Sequence, residues 1–215
     1  MPTAIKLCGL SRPAEVDAAL AARADHVGFV FFPPSPRNID VGMAAALTAR
    51  TGGGVGRVGV FVDPDDALLG EAVAAGRLTA IQLHGQESPA RTAELRARFA
   101  LPVWKAVAVA GRSDLAAGAA YVGAADLLLL DARPPKGAAL PGGMGLRFDW
   151  GLLDGWRAPM MWGLSGGLDP ANVADAIRTT GAPLVDVSSG IESAPGVKDV
   201  DSMAAFCKAA RTFSA

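Results

Sequence analysis

The chain has 215 residues, 51% hydrophobic and 19% charged, which is enough apolar material for a large core and excludes a disordered chain. A formal charge of −1 with no cluster of Lys and Arg offers nothing to a phosphate backbone, so nucleic acid is excluded as an expected partner. No apolar run has membrane-spanning length, no basic-then-apolar segment opens the chain, and Cys8 and Cys207 stand far apart, so we expect a soluble cytoplasmic protein with two free thiols.

The first apolar run, Ile5 to Gly9, reads as a buried strand. Side chains alternate along a strand, so Ile5 and Leu7 share one face and Lys6 and Cys8 the other. A helix follows, with Ser11 as cap and Pro13 in its first turn, running to about Arg23. His26 to Phe32 is the second strand, closed by the stiff loop Pro33-Pro34-Ser35-Pro36-Arg37. The alternation then repeats: helix 43–49, strand 57–62, helix 65–75, strand 80–83, helix 89–99, strand 103–107, helix 113–122 and strand 126–130, ending in Asp131. Residues 132–148 hold four glycines and three prolines, too many breakers for a regular element, and are expected to form a lid. A short helix at 150–155, strand 160–164, a helix capped by Asp169 and running to Thr180, strand 184–187 and a last helix 200–212 complete the chain. That is eight strands and eight helices, at roughly 20 to 25 residues per unit, room for one strand and one crossover helix.

Strands apolar on both faces and eight alternations predict one closed parallel (β/α)8 TIM barrel over residues 1–215, with a doubly wound open sheet as the alternative. Cys8, Arg37, Asp63, His84, Asp131, Ser165 and Ser188 all fall at or just past C-terminal strand ends, which in a barrel share one mouth.

Two glycine turns follow strands seven and eight, Ser165-Gly166-Gly167 and Ser188-Ser189-Gly190. Backbone donors at this place in a barrel commonly hold a phosphate, so a small phosphorylated substrate is expected. Asp131 leaves a very apolar strand, where loss of water favours a neutral acid able to give a proton. Cys8 beside Lys6 reads as a thiol helped toward its anion, hence a base. These groups, on strands one and six, would have side-chain tips roughly 8 to 10 Å apart, enough for a pentose. Arg37 on its proline-stiffened loop offers a guanidinium fork to a carboxylate or phosphate. His26 and His84 belong to opposite mouths and Asp63, Asp65 and Asp66 read as turn and capping residues, so no metal site is expected. Lys6 and Lys105 are the lysines that a Schiff-base aldolase on this barrel would use. A silent barrel that only binds a phosphorylated metabolite is a third reading, against which Cys8 and Asp131 argue.

The same residues carry a family likeness. Lys6-Leu7-Cys8-Gly9, Gly28-Phe29-Val30-Phe31 with Ser35-Pro36-Arg37, Val58-Gly59-Val60-Phe61-Val62, Gln82-Leu83-His84-Gly85, Leu128-Leu129-Leu130-Asp131, Phe148-Asp149-Trp150, Gly166-Gly167-Leu168 and the run from Asp186 to Asp199 resemble phosphoribosylanthranilate isomerase. The resemblance implies a cofactor-free Amadori rearrangement in tryptophan biosynthesis, with Asp131 as general acid and Cys8 as general base. It further implies Arg37 on the anthranilate carboxylate, Asp186 on the substrate, and Gly166, Gly167, Ser188, Ser189 and Gly190 around the phosphate, in a monomer or weak homodimer. Departures fall in the lid. Met144 stands in Gly142-Gly143-Met144-Gly145 where the family usually has threonine, and Arg133-Pro134-Pro135-Lys136 is unusual, which puts lid closure in question.

Overall fold

The structure, a computed structural model, describes residues 2–138 and 140–212. Eight parallel strands close into a barrel in chain order: β1 Ala4–Cys8, β2 His26–Phe31, β3 Gly56–Phe61, β4 Ala80–Leu83, β5 Val103–Val109, β6 Leu127–Ala132, β7 Trp162–Leu164 and β8 Leu184–Val187. Closure is made by β1 against β8, with Ile5 opposite Val185 and Lys6 opposite Asp186. The open sheet is thereby excluded. Around the barrel lie α1 Pro13–Ala21, α2 Val41–Thr48, α3 Asp66–Ala75, α4 Pro89–Phe99, α5 Arg112–Ala117, α6 Val173–Thr180 and α7 Val200–Arg211. None is long and apolar enough to cross a membrane. A small antiparallel hairpin, β9 Glu192–Ala194 with β10 Val197–Lys198, stands between β8 and α7.

Alternation along the strands sorts the side chains. Ile5, Leu7, Val27, Phe29, Phe61, Ile81 and Leu83 point outward into the core shared with the helices, where α1 gives Val16 and Ala19 and α7 gives Met203, Phe206 and Ala210. Burial of a side chain such as Phe206 contributes about 1.5–3 kcal/mol. Inside the barrel, Val58, Ala80, Trp104, Leu127, Leu129 and Leu184 fill the N-terminal end. Two residues further along the alternating strands come Lys6, Gln82 and Asp186, all buried, and then Cys8, Val30 and Val60 near the C-terminal mouth. Charge thus sits in the middle of the barrel, above an apolar floor.

Several helices differ from expectation. Ser11 is not the cap of α1. Its N–H and that of Arg12 instead donate to Glu15 Oε2, at 2.7 and 3.1 Å, and Glu15 Oε1 takes the Lys198 N–H at 3.2 Å, so one buried carboxylate ties α1 to β10. Asp169 accepts from Ala171 and Asn172 N–H and caps a turn, while α6 itself begins at Val173. The expected eighth helix is only a 3₁₀ turn, Trp150–Leu153, with Gly151 inside it and Gly155 just past it, leaving seven α-helices among the described residues. Asp65 and Ser88 cap α3 and α4 through Leu68 and Arg91 N–H.

Candidate active site

A cavity of about 840 Å3, counting its open mouth, lies at the C-terminal end of the barrel. Cys8, Arg37, Asp131, Gly166, Gly167, Asp186, Ser188 and Ser189 all line it. Gly190 stands behind them: a Cβ built there would lie 1.9 Å from the Leu168 carbonyl oxygen, so only glycine lets the turns after β7 and β8 touch. Among the described residues the N–H groups of Gly167, Ser189 and Gly190 donate to no acceptor. Gly166 and Gly167 have φ of +85° and +61°, left-handed values that suit glycine.

Asp131 is buried at the end of β6, but its carboxylate is held by polar partners as well as by the apolar strand. Oδ1 accepts the Ala132 N–H at 2.9 Å, and Oδ2 lies 3.0 Å from His84 Nε2. Gln82 Nε2 is 3.1 Å from His84 Nδ1, an arrangement in which Nδ1 accepts and Nε2–H donates to Asp131.

Lys6 does draw the Cys8 thiol downward as expected, but burial outweighs it. Lys6 is fully buried and its Nζ donates to Asp186 Oδ1 at 2.9 Å. Burial pushes the Cys8 thiol above its ordinary value, and the attraction of Lys6 does not make up the difference because Asp186 opposes it. Burial would also lower Lys6, yet Asp186 and Cys8 together carry its pKa above the ordinary lysine value. The sequence placed the ammonium correctly beside the thiol but did not show the carboxylate across the barrel.

Arg37 is buried, and its fork is already engaged. Nε donates to Glu192 Oε1 at 2.6 Å and Nη2 to Glu192 Oε2 at 2.8 Å and to the Gly143 carbonyl at 3.0 Å. Behind Glu192, Lys198 Nζ donates to Glu192 Oε1 at 2.7 Å, Ser188 O at 3.0 Å and Ser188 Oγ at 3.2 Å. Neither Glu192 nor Lys198 had been singled out as functional. The signal was opposite charges flanking the Ala194-Pro195-Gly196 turn, a cross-strand pair if the segment is a hairpin.

The lid lies down across the mouth on its glycines. A Cβ on Gly142 would be 2.6 Å from both Asp131 Oδ2 and His84 Nε2, and one on Gly143 2.7 Å from Arg37 Nη1. One on Gly167 would be 2.9 Å from the Leu146 carbonyl. Met144 is half-exposed and lines the cavity.

The remaining candidates fall outside the cavity. His26 begins β2 opposite Gly56, packs edge-on to Trp104 with centroids 5.1 Å apart, and lies at the other mouth from His84. Asp63 is a turn residue accepting the Gln86 N–H. Lys105 points between barrel and helices, where Nζ meets Glu87 Oε2 at 2.8 Å and the Gly85 carbonyl at 2.7 Å. With Lys105 outside the barrel and Lys6 locked to Asp186, neither lysine is offered to a carbonyl substrate.

A sequence model of N-(5'phosphoribosyl)anthranilate (PRA) isomerase matches residues 5–209. The chain belongs to the phosphoribosylanthranilate isomerase family. It is similar to the N-(5'-phosphoribosyl)anthranilate isomerases of Paracoccus denitrificans, 56% identical over 206 residues and 96% of each chain, and of Paramagnetospirillum magneticum, 51% identical over 211 residues and 98% of each. Among solved structures it resembles phosphoribosylanthranilate isomerase from Thermotoga maritima, with a TM-score of 0.88 and 34% identity over 98% of this chain and 100% of that one. A phosphoribosylanthranilate isomerase solved with reduced 1-(o-carboxyphenylamino)-1-deoxyribulose 5-phosphate gives a TM-score of 0.86 at 33% identity, over 98% and 100% of the two chains.

Proposed function

We propose that this barrel performs the isomerisation of its family, the Amadori rearrangement of N-(5-phosphoribosyl)anthranilate to 1-(2-carboxyphenylamino)-1-deoxyribulose 5-phosphate in tryptophan biosynthesis, with Asp131 as general acid and Cys8 as general base. The observation that carries the assignment is that these two groups, from β6 and β1, line one cavity beside the paired glycine turns. Asp131 gives its carboxyl proton to the ribose ring oxygen as the C1'–O bond breaks, and the anilino lone pair closes to a protonated imine. Cys8, as thiolate, takes the proton from C2', and the electrons pass through C1' to nitrogen, leaving an enolamine. Loss of the 2'-hydroxyl proton and protonation of C1' complete the ketone. Two protons are given and two removed, so the balance calls for no redox partner.

Binding divides in the same way. The unpaired N–H groups of Gly167, Ser189 and Gly190 suit a phosphate, with Gly166 and Ser188 shaping the turns. Arg37 takes the anthranilate carboxylate, and Asp186 meets the sugar from the wall that Lys6 supports. Holding both ends leaves the reacting bonds between acid and base. The test is turnover of freshly formed substrate, followed as loss of its anthranilate fluorescence. An inactive wild-type chain contradicts the activity, and an undiminished Cys8→Ser or Asp131→Asn variant contradicts that residue's role.

A further inference from the structure

The hairpin that carries Glu192 and Lys198 holds a charge arrangement that the reaction steps do not use. Glu192 occupies the Nε and Nη2 edge of Arg37, the side-on face of the guanidinium, with both bonds in fork geometry. What remains toward the cavity is the other end, where Nη1 has no acceptor among the described residues and Nη2 spends its second N–H on the lid carbonyl of Gly143. The clamp therefore fixes which edge a ligand meets.

Charge can be counted from the hydrogen bonds. Ser188 Oγ donates to the Cys8 carbonyl at 3.1 Å, so its oxygen can only accept from Lys198. Nζ is then surrounded by three acceptors, the Ser188 carbonyl, Ser188 Oγ and Glu192 Oε1, which call for three N–H groups and hence an ammonium. Burial draws Lys198 below the ordinary lysine value, opposed by Glu192, while Glu192 itself, despite burial, is held below the usual carboxylate range by Arg37 and Lys198. Arg37 is always charged. The trio thus carries two positive charges and one negative, and the neighbouring Lys6 and Asp186 cancel. Within the trio one positive charge is left over, at the edge of Arg37 that faces the cavity, while the next buried carboxylate, Glu15, is taken up by the N–H groups of Ser11, Arg12 and Lys198.

We infer that Glu192 and Lys198 are positioning residues for substrate recognition: Glu192 fixes the edge of Arg37 presented to the cavity, and Lys198, which has no access to it, supplies the surplus charge that one carboxylate on the substrate completes. This rests on the isomerase reading and extends it to two residues that touch no substrate. Lys198→Met keeps the length of the side chain and removes the charge, leaving Arg37 and Glu192 a neutral pair. It raises KM for the carboxylated substrate about 10-fold with kcat within about threefold, whereas an N-phenyl analogue without the carboxylate loses far less. Lys198→Arg restores the charge and brings KM back to within about threefold of wild type. Equal losses on both substrates, or a Lys198→Arg variant as weak as Lys198→Met with an unchanged thermal midpoint, overturn the inference in favour of a purely structural role. If Lys198→Met does not fold, the Lys198→Arg comparison on the two substrates decides alone, a loss beyond threefold that is shared by both substrates overturning it. Failure of the wild-type chain to turn over the carboxylated substrate would instead be failure of the isomerase reading.

Discussion

Lys6 and Asp186 stand opposite each other in the β1–β8 register and meet inside the barrel, Nζ to Oδ1 at 2.9 Å, with side chains 0% and 5% exposed. A pair so deeply buried is strongly coupled: removing one partner leaves the other charged and unmatched. Lys6→Met is expected to destabilise the chain by about 3–5 kcal/mol, and Lys6→Met with Asp186→Leu to recover most of it. Urea unfolding of the two variants checks this; equal instability would mean that the pair is not the source.

The barrel was legible because each strand is a short apolar run between breakers, as in Leu127 to Leu130 and Ala80 to Leu83, and the register then follows from closure. Most of the cavity lining was legible for the same reason, since a polar residue at the end of such a run has only the mouth to go to. What could not be read was pairing across the barrel. Lys6 and Asp186 are 180 positions apart, and Arg37 and Glu192 are 155 apart. No local pattern shows that these charges are spent on each other. Asp131 likewise gave its depth in the sequence but not its contact with His84, 47 positions away.

Because burial raises the Cys8 thiol, its anion is the minor form at neutral pH and grows with pH through the range below the raised value. Cys207, pushed up to about 11 by its own burial, is removed as a competitor by Cys207→Ser. In that background, alkylation of Cys8 by iodoacetamide should climb about tenfold per pH unit from about pH 7 to 9. A plateau near neutrality would show that the pull of Lys6 outweighs burial.

In the proposed assignment Arg37 holds a part of the substrate that does not react, so its loss removes binding shared by ground and transition states. Arg37→Ala should raise KM by about 10-fold or more and lower kcat much less. Steady-state kinetics giving equal losses in both, or none, would remove the assignment.

The seating of the lid depends on a missing Cβ at Gly142, whose backbone is not in the left-handed region, so an alanine there is purely a steric change. Gly142→Ala meets Asp131 and His84 at 2.6 Å and should lift the lid, lowering kcat/KM by about 10- to 100-fold. Gly53→Ala, with nothing within 4 Å of the added carbon, should leave it unchanged. A Gly142→Ala variant with wild-type kinetics would show that the lid need not close where it lies.

In the proposed mechanism Asp131 delivers a proton to the ring oxygen, and a comparison of two substrates on Asp131→Asn tests that step. The amide keeps the shape and one acceptor of the carboxyl but has no acidic proton to give, so turnover of the closed-ring substrate should fall by about 10²-fold or more. An open-chain analogue, which needs no ring opening, should lose far less. Equal slowing of both substrates would move Asp131 to a later step, and no slowing of either would contradict the mechanism outright.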